Sequence, residues 1–396
     1  MIPLQEIHMK PIPYAKHSIN DKDIEAVVNV LKGEAITRGP KTEELEKALA
    51  NDCGAEYAVT FNSGTSALTA AFHAMELNAN DTVITTPVTF IGTVAGAVLR
   101  GAKVVFVDID PETGNLDLDK LEQVMNKPST RGREVILPVH LAGIPVDCER
   151  IDRSIRLPGS FVIEDAAHAL GSMDTVGNKI GSCAFSKMAV FSLHPAKQIA
   201  CGEGGAVMTN DPDVYNKLVR FRNNGIERDP NRLKQNPGPW YYEVVEATGN
   251  YHISEIHSAL ALSQLSRLDQ FAAQRRELVS RYREKLKDHP YLFFSKIPRD
   301  DTVSYHLFVV QIDFEKAGVT RSEVMEKLKE KGIGTQVHYI PLYRHPLFKE
   351  HGGDISDYFP NTEAYYAKAL SLPLHVEMSN DDVDRICDTL LEVIGT

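Results

Sequence analysis

Positive charge is in short supply in this chain: 43 Lys and Arg stand against 54 Asp and Glu, a formal net charge of -11. There is no basic stripe to neutralise a nucleic-acid backbone and no polybasic segment to hold an anionic membrane, so neither partner is expected. An anionic small molecule is not excluded, because helix N-termini and single arginines decide that locally. Long apolar runs are missing as well. The apolar stretches are strand-sized or broken by charge well before the roughly 20 residues a membrane helix needs. The opening MIPLQEIHMKPIPY has no basic segment followed by an apolar core, so no secretory leader is expected. Cysteine is sparse and unpaired in pattern. Cys53, Cys148, Cys183, Cys201 and Cys387 form no CxxC, and an odd count suits a reducing compartment. A cytoplasmic protein with mostly buried thiols is expected, Cys201 being the one nearest the lysine discussed below. Neither HExxH nor paired CxxC occurs, so no metal site is expected.

What is present begins with length. A chain of 396 residues exceeds one compact domain, and 43% hydrophobic with 24% charged residues is ordinary for a folded soluble protein. Between residues 57 and 209, short β-branched runs alternate with segments of helical period: YAVTF, TVITT, KVVFVDI, EVILPVH, FVIED, MAVFSL and GAVMT. Several are apolar on both faces, as buried parallel strands are. The pattern predicts an α/β domain with a mostly parallel central sheet and helices on both faces. Ahead of it, DKDIEAVVNVLKG and KTEELEKALANDCG read as helices ending on glycine. Residues 223–249 are rich in Asn, Pro, Gly and charge and read as a long exposed excursion. The pattern after it predicts a long connecting helix within 251–290. HLFVVQIDF, SEVMEKLKEKG, the strand-like GTQVHY and DDVDRICDTLLEVI predict a smaller α/β domain over 291–396, with residues 1–250 as the large domain.

Four segments carry candidate chemistry, each placed just after an apolar strand. In NSGTSA (62–67) glycine allows a tight turn, and a helix N-terminus with the hydroxyls of Thr65 and Ser66 could cradle a phosphate; an ordinary helix cap has the same signature. In EDAAH (164–168) carboxylates end a buried strand, where ligands of open parallel sheets bind. Asp165 facing a pyridine nitrogen would keep it protonated and make the ring an electron sink, although a capping Asp fits the spacing too. In SLHPAKQIACGEGG (192–205) a lysine lies between a strand and a glycine cluster. A lone lysine is usually a solvated charge, but a shielded one can lose its proton, bind a carbonyl cofactor and move protons. In PVTFIG (87–92) Phe90 could lie against a flat heterocycle or simply pack in the core.

In their order along the chain, SGTSAL, TPVTF, EDAAHALG, SLHPAKQIACGEGGAV and NYHISEIHSALALSQLSRLD resemble the landmarks of the DegT/DnrJ/EryC1 sugar aminotransferases, over nearly the whole chain. The resemblance implies a fold type I (aspartate aminotransferase-like) transferase that uses pyridoxal 5′-phosphate, with an aminated (PMP) form in the half-reaction. It implies that Lys197 carries the cofactor and Asp165 partners the pyridine nitrogen. Phe90 would stack on the ring, Thr65, Ser66 and Ser192 would hold the phosphate, and His168 would sit beside the phenolic oxygen. The resemblance also implies a homodimer with shared sites. Relatives reach the phosphate with an Asn or Arg of the neighbouring subunit where this chain has His252, and an imidazole can donate one such hydrogen bond. GPWYYE, FRNNGIERDP and GTQVHYIPLY look most like the PseC branch. That implies transfer of the amino group of L-glutamate to C4 of UDP-2-acetamido-2,6-dideoxy-β-L-arabino-hexos-4-ulose, toward pseudaminic acid. Tyr14, Arg228, Trp240, Tyr241, His338 and Tyr339 are then candidates for the UDP-sugar site. Another nucleotide-linked keto-sugar is the alternative substrate.

Rival readings find less in the residues. A sugar dehydratase of the same family would have histidine in place of Lys197, and His194 lies at a different position. A hydrolase built on Ser63, Asp165 and His168 would want a GxSxG elbow, which NSGTSA lacks. A ligand-binding paralogue without activity would have no need of the intact lysine, aspartate and phosphate loop.

Overall fold

The computed structural model describes residues 10–127, 132–295, 297, 299–352 and 354–395. The first part of the segment read as free of a leader, residues 1–9, lies outside the described residues.

All seven expected strands form: β1 (Tyr57–Phe61), β2 (Thr82–Thr85), β3 (Lys103–Phe106), β4 (Glu134–Leu137), β5 (Phe161–Asp165), β6 (Met188–Ser192) and β7 (Gly205–Thr209). They make one sheet in the order β1-β7-β6-β5-β4-β2-β3. Only β7 runs against its neighbours; the other pairings are parallel. The two-residue period of β6 divides its side chains between two cores. Met188 and Val190 face Phe72 and Leu218 of helices Gly64–Ala74 and Pro212–Arg222. Ala189 and Phe191 face Leu45 and Leu49 of helix Pro40–Cys53. Helices thus cover both faces, which is why β2, β4, β5 and β7 are buried along their whole length.

The excursion holds a two-residue ladder between β8 (Ile226–Glu227) and β9 (Glu243–Val244). Beyond it, β10 (Leu292–Phe294), β11 (Phe308–Ile312) and β12 (Ala369–Leu372) form a separate antiparallel sheet. Val310 and Ile312 share a core with Val279 and Tyr282 of helix Leu268–Leu286, Leu328 of helix Arg321–Glu330 and Ile386 of helix Asn380–Ile394.

Two local expectations fail. The pattern read as one long helix is two, Glu255–Leu265 and Leu268–Leu286. At the break Gln264 and Arg267 both turn to Asp23, and Arg267 leaves helical geometry with φ -114° and ψ 8°. The segment GTQVHY is not a strand; Gln336 makes a single bridge to Ser371, and the ladder beside β11 is taken by β12. Among the described residues, no helix is long and apolar enough to cross a membrane. All five cysteines are free and buried.

Candidate active site

The carboxyl ends of β1, β5 and β6 and the loop after β2 meet around a cavity of about 400 Å³. This is the crevice at which parallel sheets bind ligands. Lys197, Asp165, His168, Thr65, Phe90, Ser192, Tyr14, His338 and Tyr339, all singled out from sequence, line it together.

Asp165 ends β5 and is buried. Its Oδ2 accepts a 2.7 Å hydrogen bond from Thr93 Oγ1 and its Oδ1 accepts from the Ala167 amide at 3.1 Å. Burial raises its pKa above the usual carboxylate range, opposed by Thr93, Ala167 and the charge of Lys197. A carboxylate so placed gains from a cationic N–H partner in the cavity. No helix begins after it, so it is not a helix cap, and it lines the cavity. Lys197 sits in the turn after β6, and desolvation lowers its amine to about 8 while Asp165 pulls the other way. A lysine in that state is a usable nucleophile and base near neutrality.

Ser63 caps helix Gly64–Ala74 and exchanges capping-box hydrogen bonds with Ser66. Ser66, expected at the phosphate, is instead buried with its hydroxyl committed to Asn62 Oδ1 at 2.6 Å. Ser63, Gly64 and Thr65 take the lining positions. The cradle is tight: a Cβ on Gly64 would lie 3.1 Å from Ser192 Cβ, and one on Gly205 would lie 2.4 Å from the Ser63 carbonyl. NSGTSA is a helix cap whose free amide end faces the cavity, an arrangement that suits an anion. Phe90 is 59% exposed, so it is not core; its ring lies 6.4 Å from that of Tyr339.

His168 Nδ1 accepts the Ala142 amide at 3.3 Å, which leaves the ring proton on Nε2, 3.2 Å from Tyr339 Oη. Burial, Lys197 and His338 push its pKa well below the usual imidazole range, so it is a neutral donor. His338 bonds Ser371 through Nδ1 at 2.8 Å, and Tyr14 lies 5.9 Å from it, ring to ring.

Besides Ser66, four sequence candidates stand outside this cavity. Trp240 is 70% exposed, Arg228 stacks on Tyr242, and Tyr241 bonds Glu243. His252 is held by Asn223 at 3.2 Å, and burial with Arg222 and Arg38 lowers its pKa to about 4. Sequence reasoning missed Thr89, Thr93 and His306, which line the cavity. Thr89 and Thr93 lie in or just after a segment already singled out; His306 stands at the head of a run read only as a strand.

Away from the cavity, His140, Cys148 and Glu164 bring ligand-type atoms within 4.8 Å of one another, a grouping that spacing did not reveal. His140 Nδ1 accepts the Val146 amide at 2.9 Å, so Nε2 carries the proton and donates it to Glu164 at 2.8 Å. That imidazole has no lone pair left for a cation.

Residues 17–391 match the DegT/DnrJ/EryC1/StrS aminotransferase family. The chain belongs to that family. Its members use pyridoxal 5′-phosphate, and one solved relative has been captured in both PLP and PMP forms. The residues present fit this group: a buried carboxyl in want of a cationic partner, an amine lowered to about 8, and a glycine-tight cup at a helix N-terminus. The spore coat polysaccharide biosynthesis protein SpsC of Bacillus subtilis is 37% identical, the alignment spanning 97% of each chain. The UDP-4-amino-4,6-dideoxy-N-acetyl-β-L-altrosamine transaminase of Campylobacter jejuni is 35% identical, again over 97% of each. PseC of Helicobacter pylori, an aminotransferase involved in the biosynthesis of pseudoaminic acid, superposes with a TM-score of 0.86 at 30% identity, covering 97% of this chain and 99% of that one. The architecture is accordingly the fold type I one of the family's enzymes.

Proposed function

We propose that this sugar aminotransferase moves the amino group of L-glutamate to C4 of a UDP-linked 4-keto-6-deoxy-N-acetylhexosamine, UDP-2-acetamido-2,6-dideoxy-β-L-arabino-hexos-4-ulose, on the way to pseudaminic acid. The observation that carries the substrate is the full-length likeness to the Campylobacter transaminase. Bound pyridoxal phosphate supplies the electron sink that such a transfer requires. Lys197 Nζ would hold the cofactor and move the proton taken from the donor's α-carbon, a role that an amine lowered to about 8 suits near neutral pH. Asp165 would hold positive charge at the pyridine nitrogen, His168 Nε2 would donate to the phenolic oxygen, and Phe90 would lie against the ring. The helix N-terminus at Gly64 and Thr65, with Ser192, binds the phosphate. Tyr14, His338 and Tyr339 meet the sugar, with Arg228, Trp240 and Tyr241 reaching the nucleotide from the excursion.

In this reading the enzyme is a cytoplasmic homodimer in which His252 of each chain serves the partner's site. Residues 1–250 make the cofactor-binding domain and 291–396 the smaller one. A second reading, amination of another nucleotide-linked keto-sugar, is favoured by the likeness to SpsC, a spore coat polysaccharide protein. Incubating the holoenzyme with L-glutamate and a panel of UDP- and TDP-linked 4-keto and 3-keto sugars, with product structure by NMR, decides between them. A 4-amino product from the named sugar alone supports the first, and preference for any other acceptor supports the second.

A further inference from the structure

Among the described residues, His306 is the side chain that meets the Lys197 amine. It stands at the head of β11's run, buried, with Nε2 3.4 Å from Lys197 Nζ. Its own amide is fixed to the Ala142 carbonyl at 2.9 Å, and its ring centroid lies 4.3 Å from that of His168. Nδ1 has no partner. Among the described residues, the ring's one hydrogen bond is therefore the one to Lys197, which is not how an imidazole kept for core packing is arranged. Lys197 is also held from behind, since Arg275 Nη2 donates to its carbonyl at 3.0 Å.

The groups facing His306 come from four elements: Lys197 after β6, His168 after β5, His338 from the segment after Gly334, and Arg275 of helix Leu268–Leu286. Two are cations, and burial acts in the same direction, so the imidazole is neutral throughout the working range. A neutral ring beside a lysine ammonium has one useful role, to accept at Nε2 with its proton on Nδ1.

We propose that His306 is a positioning residue for the transfer: its Nε2 accepts a hydrogen bond from the Lys197 amine whenever that amine is free, fixing where Nζ points and steadying it while it holds a proton. The proposal rests on Lys197 as the proton-moving group. Once Lys197 has released the cofactor, its Nζ would otherwise turn freely about a four-carbon stem, and misplacement of a proton-transfer group by about 1 Å costs on the order of a hundredfold in rate.

The test is the titration of Lys197 in the full-length, cofactor-free protein, read from the ¹³Cε resonance of labelled lysine and assigned with Lys197→Arg. It is run beside steady-state kinetics of the holoenzyme. In the unaltered protein, desolvation of the amine places the expected midpoint at about 8. His306→Phe, which removes the acceptor from an ammonium, is expected to lower the midpoint by about one unit. It should also reduce kcat about tenfold, with KM for glutamate within about twofold. His306→Gln, whose amide oxygen can accept from the amine, should keep the midpoint and most of kcat. His306→Ala is read in the same way as Phe should the larger ring prevent folding. An unchanged Lys197 midpoint in both the Phe and Ala variants overturns the inference, whatever happens to kcat, because loss of activity alone would then be structural. The midpoint does not depend on turnover, so failure of Lys197 itself, seen as an active Lys197→Ala enzyme, is a distinct result.

Discussion

Thr93 donates its hydroxyl proton to Asp165 Oδ2 over 2.7 Å, and with that proton committed, Thr89 Oγ1, 2.6 Å away, becomes the donor to Thr93. The loop after β2 is thereby tied to the end of β5 by a directed pair of hydrogen bonds. Both threonines are buried.

Thr93→Val keeps the shape and removes the donor. A hydrogen bond to a charged group is worth about 1.5–3 kcal/mol, so cofactor retention should weaken about tenfold to a hundredfold, as measured by absorbance titration of the cofactor-free protein. Retention equal to that of the unaltered protein would show that Asp165 does not depend on Thr93.

The lowered amine of Lys197 predicts a pH profile for cofactor capture. Only the neutral amine attacks a carbonyl, so the second-order capture rate should rise about tenfold per pH unit below the midpoint and level off above about 8. Asp165 raises the Lys197 pKa, so Asp165→Asn should move the plateau to lower pH. A rate still climbing above pH 9 would mean the amine is not desolvated as described.

Asp23 is wholly buried, accepts from Gln264 and Ser263, and pairs with Arg267 at the break between the two helices. Burial alone would raise its pKa, but Ser263, Asn20, Gln264 and Arg267 together hold it below the ordinary value of 3.8. A depressed carboxyl contributes stability above its unfolded pKa and loses it as pH falls through the folded one. Asp23→Asn should therefore cost about 3 kcal/mol near pH 7 by leaving Arg267 short of its partner. In urea unfolding the gap to the unaltered protein should narrow as pH falls below about 4. A gap of the same size at all pH values would contradict the ion pair's role.

The sheet was legible because β-branched runs alternate with segments of helical period, several of those runs being apolar on both faces as buried strands are. Lys197, Asp165 and Phe90 were legible because strand ends are where such a sheet binds ligands, and the structure brings all three to one cavity. Sequence cannot say which hydroxyl of a capping box faces the cavity: Ser63 lines it, while the Ser66 hydroxyl turns to Asn62. The helix break at Ser266 and Arg267 was hidden because its cause is Asp23, more than two hundred residues earlier. His306 was hidden for the same reason. Its importance lies in a contact with Lys197 across the fold, and nothing in the run HLFVVQIDF distinguishes it from a strand's first residue.

The most direct test of the account is Lys197→Ala, assayed with L-glutamate and the UDP-4-keto sugar while circular dichroism reports the fold. An unaltered fold and turnover below about one-thousandth of the native rate are expected. Turnover at the native rate in that variant would contradict the account.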